Sequence, residues 1–531
     1  MSRDDPEVGP GWRTIAPLAA LAVAALAIAL YVPAHLPFVD FPQHVALVSI
    51  WSHLDDPVRG LAGRYEINLA TPYVTGYLAA RLLSPLVGDE LAVRTVLFGA
   101  LLAIPLASLA VLRTYGRPPE LALAAFAVAF AWVTFMGFVP WIVAVPMIIA
   151  AVALVRRLDD RRWAAPTLAA LAIATFATHA LALPALAFLS AAAALGRPGW
   201  RRRLVVVAVA LGPSLALAGI WAFARSRIPS PDPMHFTMGD PLTRLGLARY
   251  LFGSSATEPR VVALTVALLA VGALATWLVA RERGSGEGGG RDPAEPTRSG
   301  ADSAEFAAAP WPRGIAAIVR ARPLVWPFLA AAMLYALAPR TALDAYGLWQ
   351  RFAPIAFVLG LGLLPWPTTP RYRSGLTVTL GVIAIGSSLG TLAQSSAFDR
   401  QIAGLDQVVA ALPPGARLFY EVPAVRPAGV GVASLRHLSA TYLAARGGEI
   451  DYDFAMFSHM VVRFRQPRTL ATQSTAYDFL LRLDAGCGPP YAPGSIGPEV
   501  ARAGAWRAYR AVAPVPRPPT SPQPDDLPVG C

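Results

Sequence analysis

An acid and an imidazole lie four residues apart, directly after the first long apolar stretch of this chain. The segment Pro37 to His44 reads Pro-Phe-Val-Asp-Phe-Pro-Gln-His. The carboxylate of Asp40 could take a proton from a hydroxyl group, and the imidazole of His44 could accept or donate one. Because proline cannot continue a helix and restricts the residue before it, Pro37 and Pro42 hold Asp40 on a stiff turn. The segment therefore presents a fixed polar group directly after the first apolar run.

Asp40 and His44 also have structural interpretations. Asp is a favoured residue just before a helix, and the run from Pro42 to Leu54 is amphipathic, so Asp40 could cap that helix. His44 could lie on the polar face of the same helix. The sequence leaves the catalytic and the structural interpretations of both residues open.

Further candidates lie beside other apolar stretches. His179 interrupts a long uncharged stretch, where an imidazole needs a partner or a cavity. Arg351 opens an apolar run and could either bind an oxyanion with two hydrogen bonds or extend to the membrane surface. Arg249 and Asp344 lie in segments between apolar runs. Spacings typical of zinc sites, phosphate-binding loops and serine hydrolases are absent from the sequence.

The composition is that of a membrane protein with many spans. Of 531 residues, 55% are hydrophobic and 15% are charged, compared with about 25% charged residues in soluble domains. The mean hydropathy is +0.49. The formal net charge is +12, but the arginines lie between apolar runs, which is typical of topology signals. We therefore expect no nucleic acid partner.

The chain contains about twelve apolar runs of the length that a membrane helix needs. They cover residues 14–33, 70–88, 90–112, 119–137, 138–155, 164–177, 180–196, 203–224, 260–280, 323–338, 351–369 and 374–395. Arginine clusters at 156–162, 197–203, 281–322 and 371–373 predict cytoplasmic loops. Asp40, His179 and the stretches 225–259 and 339–350 are then predicted to lie outside.

One inconsistency remains in this topology. If Asp40 lies outside, four spans between residues 70 and 155 return the chain to the outside at Arg156, where the arginine cluster predicts cytoplasm. A re-entrant segment or a break near Gly137 to Pro140 would correct the count. Alternatively, 164–196 is one long helix and Arg156 lies outside beside Asp159 and Asp160. The sequence does not decide between them.

The chain divides into three regions. Residues 1–395 are predicted to form an all-α polytopic bundle with an external loop at 34–69 and a disordered cytoplasmic linker at 284–310. Residues 396–512 have the composition of a soluble domain. Apolar residues at helical spacing are followed by a predicted strand at 417–422, which together predict a small extracytoplasmic α/β domain. Residues 513–531 form a Pro-rich tail. Cys487 and Cys531 could form a disulfide or remain two thiols.

These features resemble the polytopic glycosyltransferases of the GT-C type, over about residues 10 to 395. Asp40-Phe-Pro-Gln-His44 is similar to the Asp-x-Pro-x-His element near the first external acid of many bacterial members. Phe135 to Trp141, and His179 within Thr-His-Ala-Leu, are similar to other recurrent features of the family. Val39, rather than a second acid, adjoins Asp40, and the use of a divalent cation stays open.

The resemblance implies an enzyme of the bacterial inner membrane. It would move a sugar from a polyprenyl-phosphate carrier to a glycan, lipid or protein acceptor at the outer face, with inversion. Asp40 would take the acceptor proton beside His44, and cationic groups would stabilise the departing phosphate. The residues expected to bind the substrate are His179, Arg249, Asp344 and Arg351.

Two other classes of function stay open. A transporter or flippase of a lipid-linked glycan would need ionisable residues in the middle of its spans, whereas those of this chain gather near predicted external ends, which favours the enzyme. A membrane scaffold protein that binds partners through residues 396–531 is compatible with the same sequence.

Overall fold

The computed structural model describes residues 11–196, 199–228, 236–253, 258–284, 323–342, 345–421, 430–466, 476–484 and 496–514. The predicted linker after Gly284, Asp344, both cysteines and residues 515–531 of the tail lie outside these ranges.

The described residues are mostly helical. The α-helices are α1 Gly11–Tyr31, α2 Phe41–Ser52, α3 Val74–Val87, α4 Asp89–Thr114, α5 Trp132–Phe135, α6 Val139–Arg156, α7 Ala164–Thr178, α8 Ala182–Leu195, α9 Trp200–Arg225, α10 Leu247–Phe252, α11 Pro259–Gly284, α12 Val325–Leu337, α13 Ala353–Leu361, α14 Pro370–Gln401, α15 Leu405–Ala411 and α16 Ser439–Arg446. Tight 3-10 helices cover Pro119–Val128, Pro241–Leu245, Trp349–Phe352 and Phe454–Met456.

Six of these helices are long and apolar enough to cross a membrane, namely α1, α4, α6, α9, α11 and α14. Helices α3, α7, α8 and α12 and the segment Pro119–Phe135 are apolar but shorter. A hydrocarbon layer of about 30 Å requires about 20 helical residues, so the six long helices make this a multi-pass membrane protein. The predicted helical bundle is thereby confirmed.

Contacts at the helix ends show which ends share a side of the bundle. Arg94, near the start of α4, donates to the carbonyl of Pro33 just after α1 at 2.7 Å. Asp399, near the end of α14, accepts from the backbone N–H of His35 at 2.7 Å. The start of α4 and the ends of α1 and α14 therefore lie on one side, which we call the Asp40 side. Because α4 and α14 are long enough to span, their other ends lie on the opposite side.

The predicted crossing at 70–88 is wrong, because both ends of α3 lie on the Asp40 side. Near its start, the Tyr77 hydroxyl lies 2.5 Å from Nδ1 of His44 in α2. Near its end, Ser84 lies 3.1 Å from Ser52, also in α2. The 14 residues of α3 span only about 21 Å at 1.5 Å per residue, too short to cross unaided. Arg156 consequently lies opposite Asp40, and α7 and α8 are separate helices.

The C-terminal region contains short helices and a mixed sheet, which agrees with the α/β fold that the sequence predicts. The strands, in chain order, are β1 Tyr65–Ile67, β2 Thr341–Ala342, β3 Ala345–Tyr346, β4 Arg417–Glu421, β5 Glu449–Ile450, β6 Val462–Phe464, β7 Phe479–Leu483, β8 Ile496–Ala503 and β9 Trp506–Ala511. Five of them form one sheet in the order β5-β4-β7-β9-β8. Strand β4 is parallel to β5 and β7, whereas β9 is antiparallel to β7 and β8.

The C-terminal region packs directly on the loop that carries Asp40. Strand β1 of that loop pairs antiparallel with β6. The Tyr65 hydroxyl donates to the buried Asp453 carboxylate at 2.7 Å, and the Ser434 hydroxyl donates to the carbonyl of Pro37 at 2.6 Å. The bundle and the C-terminal region therefore meet at Asp40.

Candidate active site

The backbone of Asp40 is fixed by the chain between α5 and α6. The N–H of Val39 donates to the carbonyl of Phe135 at 2.9 Å, and the N–H of Asp40 donates to that of Met136 at 3.1 Å. Gly137 lies against this pair with φ of +76°, and a Cβ there would come within 2.7 Å of the Asp40 nitrogen. A glycine is therefore required for the two segments to meet.

The carboxylate of Asp40 does not cap α2. Asp40 stands at the N-cap position, but its side chain makes no capping hydrogen bond. Its Oδ1 lies instead 3.5 Å from Nε2 of His437 in the C-terminal region. The capping interpretation of Asp40 is therefore not supported by the geometry, and the carboxylate is left for another role.

Burial changes the acidity of Asp40. Its side chain is 13% exposed, and burial raises its pKa to about 7, while the positive charges of Arg436 and Arg351 oppose that rise. A carboxyl group with a pKa near the working pH can both take up and release a proton, as a general base must.

His44 holds the Asp40 loop in place. Its Nε2 lies 2.9 Å from the carbonyl of Gly137, and its Nδ1 lies 2.5 Å from the Tyr77 hydroxyl. Burial lowers the pKa of His44 to about 4, so the ring is neutral at physiological pH. Because a carbonyl only accepts, Nε2 carries the proton and Nδ1 accepts from Tyr77. Both nitrogens are occupied by protein groups, which favours positioning over catalysis.

Arg351 and His179, which are far apart in the sequence, meet in the structure. Nη1 of Arg351 lies 3.1 Å from Nε2 of His179, and Nη2 donates to the carbonyl of Tyr346 at 2.9 Å. Burial, followed by the charge of Arg351, keeps the pKa of His179 well below its usual range. A neutral imidazole has one bare nitrogen, so Nε2 accepts from the guanidinium when Nδ1, which lies 3.2 Å from the backbone nitrogen of Leu181, carries the proton.

Arg351 is not extended toward the membrane surface. Its side chain is buried, with the guanidinium carbon 4.1 Å from the ring centre of Phe138 and 5.5 Å from that of Trp141. Its Nε is buried and has no hydrogen-bond partner within the described ranges. A planar cation held between rings, with its Nε–H not used by the protein groups described, suits an oxyanion.

A row of aromatic and imidazole rings joins the two parts of the site. Tyr73 packs on His179 with ring centres 4.9 Å apart and on His459 at 5.1 Å. Phe457 is 5.6 Å from His459 and 6.4 Å from Tyr452. Tyr452 in turn stacks on His437, the neighbour of Asp40, at 5.0 Å. The C-terminal region supplies most of this row and so forms one wall between Asp40 and Arg351.

Sequence analysis missed Arg436 and His437. Both belong to the C-terminal region, far along the chain from Asp40, and neither lies in a recognisable motif. The only sequence signal was the density of polar and aromatic residues between 434 and 459 in a predicted external domain. That signal does not indicate which residue faces Asp40.

The remaining candidates are placed as follows. Arg249 lies in α10, half-buried, with its guanidinium carbon 5.3 Å from the ring of Tyr250. Tyr250 packs against Trp349, two residues before Arg351, at 4.7 Å. Asp344 lies outside the described residues. In the described part of the chain, no group of three or more His, Cys, Asp or Glu residues could hold a metal ion.

The comparisons with known proteins give two solved structures. The chain is similar to ArnT from Cupriavidus metallidurans bound to undecaprenyl phosphate, with 12% identity, a TM-score of 0.48, and coverage of 96% of this chain and 100% of that chain. For ArnT in the apo state the identity is 13%, the TM-score 0.47 and the coverage 94% and 97%. No protein-family model matches, and no curated protein matches the sequence.

Proposed function

We propose that this protein is a membrane glycosyltransferase that moves a sugar from a polyprenyl-phosphate carrier to an acceptor hydroxyl on the Asp40 side. The observation that carries the proposal is the buried Asp40 carboxylate, which is not used as a helix cap and has a pKa raised to about 7. The acceptor is a glycan, a lipid or a protein, and the site of action is the outer face of a bacterial inner membrane.

Asp40 acts as the general base in this proposal. The acceptor oxygen attacks the anomeric carbon while its proton passes to the Asp40 carboxylate. The bond between that carbon and the phosphate oxygen breaks, and its electron pair leaves with the polyprenyl phosphate. A single displacement inverts the anomeric centre. Proton transfer to a positioned base contributes about 10² to 10⁴ fold to such a rate.

Arg351 holds the phosphate in this proposal. Its guanidinium is buried between Phe138 and Trp141, bonded to His179, and keeps Nε without a partner within the described ranges. Charge that develops on a departing phosphate is stabilised strongly by a preorganised donor in a site from which water is excluded. The apolar tail of the carrier can stay in the hydrocarbon layer while its phosphate reaches Arg351.

The test is Asp40→Asn in the purified full-length protein, supplied with a panel of polyprenyl-phosphate hexoses and pentoses. Release of polyprenyl phosphate should fall by about 10² to 10⁴ fold, the size of a general base contribution. Asp40→Glu probes geometry, because it keeps the carboxylate but moves it. A folded Asp40→Asn protein with a normal rate would exclude Asp40 as the base. Movement of intact donor without release by the wild-type protein would favour a flippase.

A further inference from the structure

His437 is a buried imidazole of the C-terminal region for which the proposed reaction gives no role. It lies two residues before α16, and its Nε2 is 3.5 Å from Oδ1 of Asp40. Its ring stacks on Tyr452 with 21° between the planes and meets the edge of Phe454 at 5.8 Å. These contacts fix the ring with one nitrogen toward the Asp40 carboxylate.

The two ring nitrogens of His437 have different states. Burial, then the charge of Arg436, keeps the pKa of His437 well below its usual range, so the ring is neutral and carries one proton. A carboxylate only accepts, so the nitrogen facing it, Nε2, carries that proton. Nδ1 is then a bare acceptor, and it is buried without a hydrogen-bond partner in the part of the chain that the structure describes.

We propose that His437 positions the Asp40 carboxylate through Nε2–H and accepts a hydrogen bond from a hydroxyl of the bound acceptor through Nδ1. The inference rests on the proposed function, and it makes the C-terminal region part of the active site. Nε2 and Oδ1 are 3.5 Å apart, which is longer than an ordinary hydrogen bond. Contacts between catalytic groups are often long without substrate and shorten in the complex. A buried acceptor without a partner is unfavourable, and a substrate hydroxyl would satisfy Nδ1.

A hydrogen bond from His437 should lower the pKa of Asp40. His437 contacts the Asp40 carboxylate. The other charged or titratable groups close enough to interact with it electrostatically are Arg436, Arg351 before α13 and Tyr77 of α3. An N–H donated to a carboxylate favours the charged form. Loss of that donor should therefore raise the pKa of Asp40 by about one unit, the size expected for a hydrogen bond to a charged group.

The first experiment measures the effect of His437 on the pKa of Asp40 without substrate. Melting temperature is recorded from pH 5 to 9 for the full-length protein and for Asp40→Asn, each with and without His437→Phe. Because the folded pKa of Asp40 is raised to about 7, the folded state holds a proton that the unfolded state loses. The stability of the wild-type protein relative to Asp40→Asn should therefore fall as pH rises and level off above about 7.

With His437→Phe, the pH above which this stability difference becomes constant should rise by about one unit. His437→Gln is the matched control, because its amide N–H can replace Nε2–H. In this variant the pH at which the stability difference becomes constant should stay near that of the wild-type protein. If the stability difference becomes constant at the same pH in His437→Phe as in the wild-type protein, Nε2 does not position Asp40 and the inference is overturned.

The second experiment uses transfer kinetics. His437→Phe has no acceptor in place of Nδ1, so the KM for the acceptor should rise by about tenfold. The rise should be smaller in His437→Gln, whose amide oxygen can accept a hydrogen bond. An unchanged KM would overturn the recognition role. These outcomes are separate from the proposed function, which fails if Asp40→Asn transfers sugar normally, whatever the pH dependence of stability.

Discussion

Three polar residues within one helical turn contact two other parts of the molecule. Asp40 faces His437 of the C-terminal region. Gln43 donates to the carbonyl of Tyr452 at 2.6 Å, and its Oε1 accepts from the N–H of Phe454 at 3.1 Å. His44 bonds the segment between α5 and α6. The polar residues from Asp40 to His44 therefore join the start of α2 to neighbouring segments, and the Asp40 carboxylate remains for chemistry.

The pH dependence of transfer should follow Asp40. A general base must be deprotonated, and burial raises the pKa of Asp40 to about 7. Below that pH, kcat/KM should therefore rise about tenfold per unit, and above it the rate should level off. The measurement is kcat/KM from pH 5.5 to 8.5 in one detergent. A flat profile from pH 5.5 upward would show that the base has an ordinary carboxyl pKa.

Arg351 should be required for binding the phosphate of the carrier. Arg351→Lys keeps the positive charge but loses the planar set of donors that reaches His179 and Tyr346 together. This variant should therefore bind polyprenyl phosphate more weakly. Arg351→Ala should bind it at least tenfold more weakly, as expected when a charge-assisted hydrogen bond is lost. The control is Arg400→Lys, an exposed residue near the end of α14.

Binding of polyprenyl phosphate to the purified protein can be measured by its effect on melting temperature. If Arg351→Ala and Arg400→Lys bind it equally well, the carrier phosphate lies elsewhere.

At the scale of elements, the segment between α5 and α6 sets the position of Asp40. Gly137→Ala would place a Cβ within 2.7 Å of the Asp40 nitrogen. It should reduce transfer strongly and destabilise the protein by more than the roughly 1–2 kcal/mol of a left-handed conformation alone. Gly116→Ala is the matched control, because Gly116 has φ of +63° with nothing within 4 Å of its Cβ position.

Transfer rate and melting temperature of both variants separate the two effects. Only the conformational cost should appear in Gly116→Ala, with transfer retained. Equal losses in the two variants would mean that the close approach to Asp40 is unimportant.

The position of α3 also gives a test of topology. Ala70 and Gly88, which flank α3, should be on the same side of the membrane, and Arg113, near the end of α4, on the other. Each is changed to Cys in a protein with Cys487→Ser and Cys531→Ser, and a reagent that does not cross membranes is added to whole cells. The first two should react, and Arg113→Cys should react only after permeabilisation. Opposite reactivity of the first two would make α3 a crossing.

Much of the bundle could be predicted because apolar runs of membrane length are visible in the sequence. The crossing assigned to 70–88 failed because hydropathy does not distinguish a helix that spans a membrane from a shorter apolar helix whose ends share a side. Leu82 and Leu86 are highly exposed, and their apolar character counted toward a span. Asp40 was recognisable from its neighbours in sequence. His437 was not, because only tertiary contacts bring it to Asp40.

At the scale of the whole molecule, the bundle and the C-terminal region are joined beside Asp40, and the proposed reaction would make them one catalytic unit. The pairing of β1 with β6 and the bond from Tyr65 to Asp453 join the first loop to the end of the chain. The proposed base, Asp40, lies on one part, and Arg436 and His437 lie on the other. Any loosening of this junction should therefore act on the acidity of Asp40 as well as on stability.

Gln43 offers a direct test of that coupling. Its side chain is fully buried, and Gln43→Met would keep the size while leaving the carbonyl of Tyr452 and the N–H of Phe454 unsatisfied. Each buried polar group left without a partner costs about 1–3 kcal/mol. Gln407→Met, at an exposed position of α15, is the control for the substitution itself. Gln43→Met should melt at a lower temperature, and its transfer rate should fall even at temperatures where it stays folded.

The fall in rate should be accompanied by a shift in the pH at which kcat/KM levels off, because Arg436 and His437 would no longer be held beside Asp40. Arg436 lowers the pKa of Asp40, so a looser junction that weakens this charge raises the pKa if Asp40 stays buried. If water enters instead, the cost of burial falls and the pKa decreases. Either shift indicates coupling. A Gln43→Met protein that melts early but keeps the wild-type pH profile would show that the two parts only stabilise one another and that the C-terminal region takes no part in the chemistry.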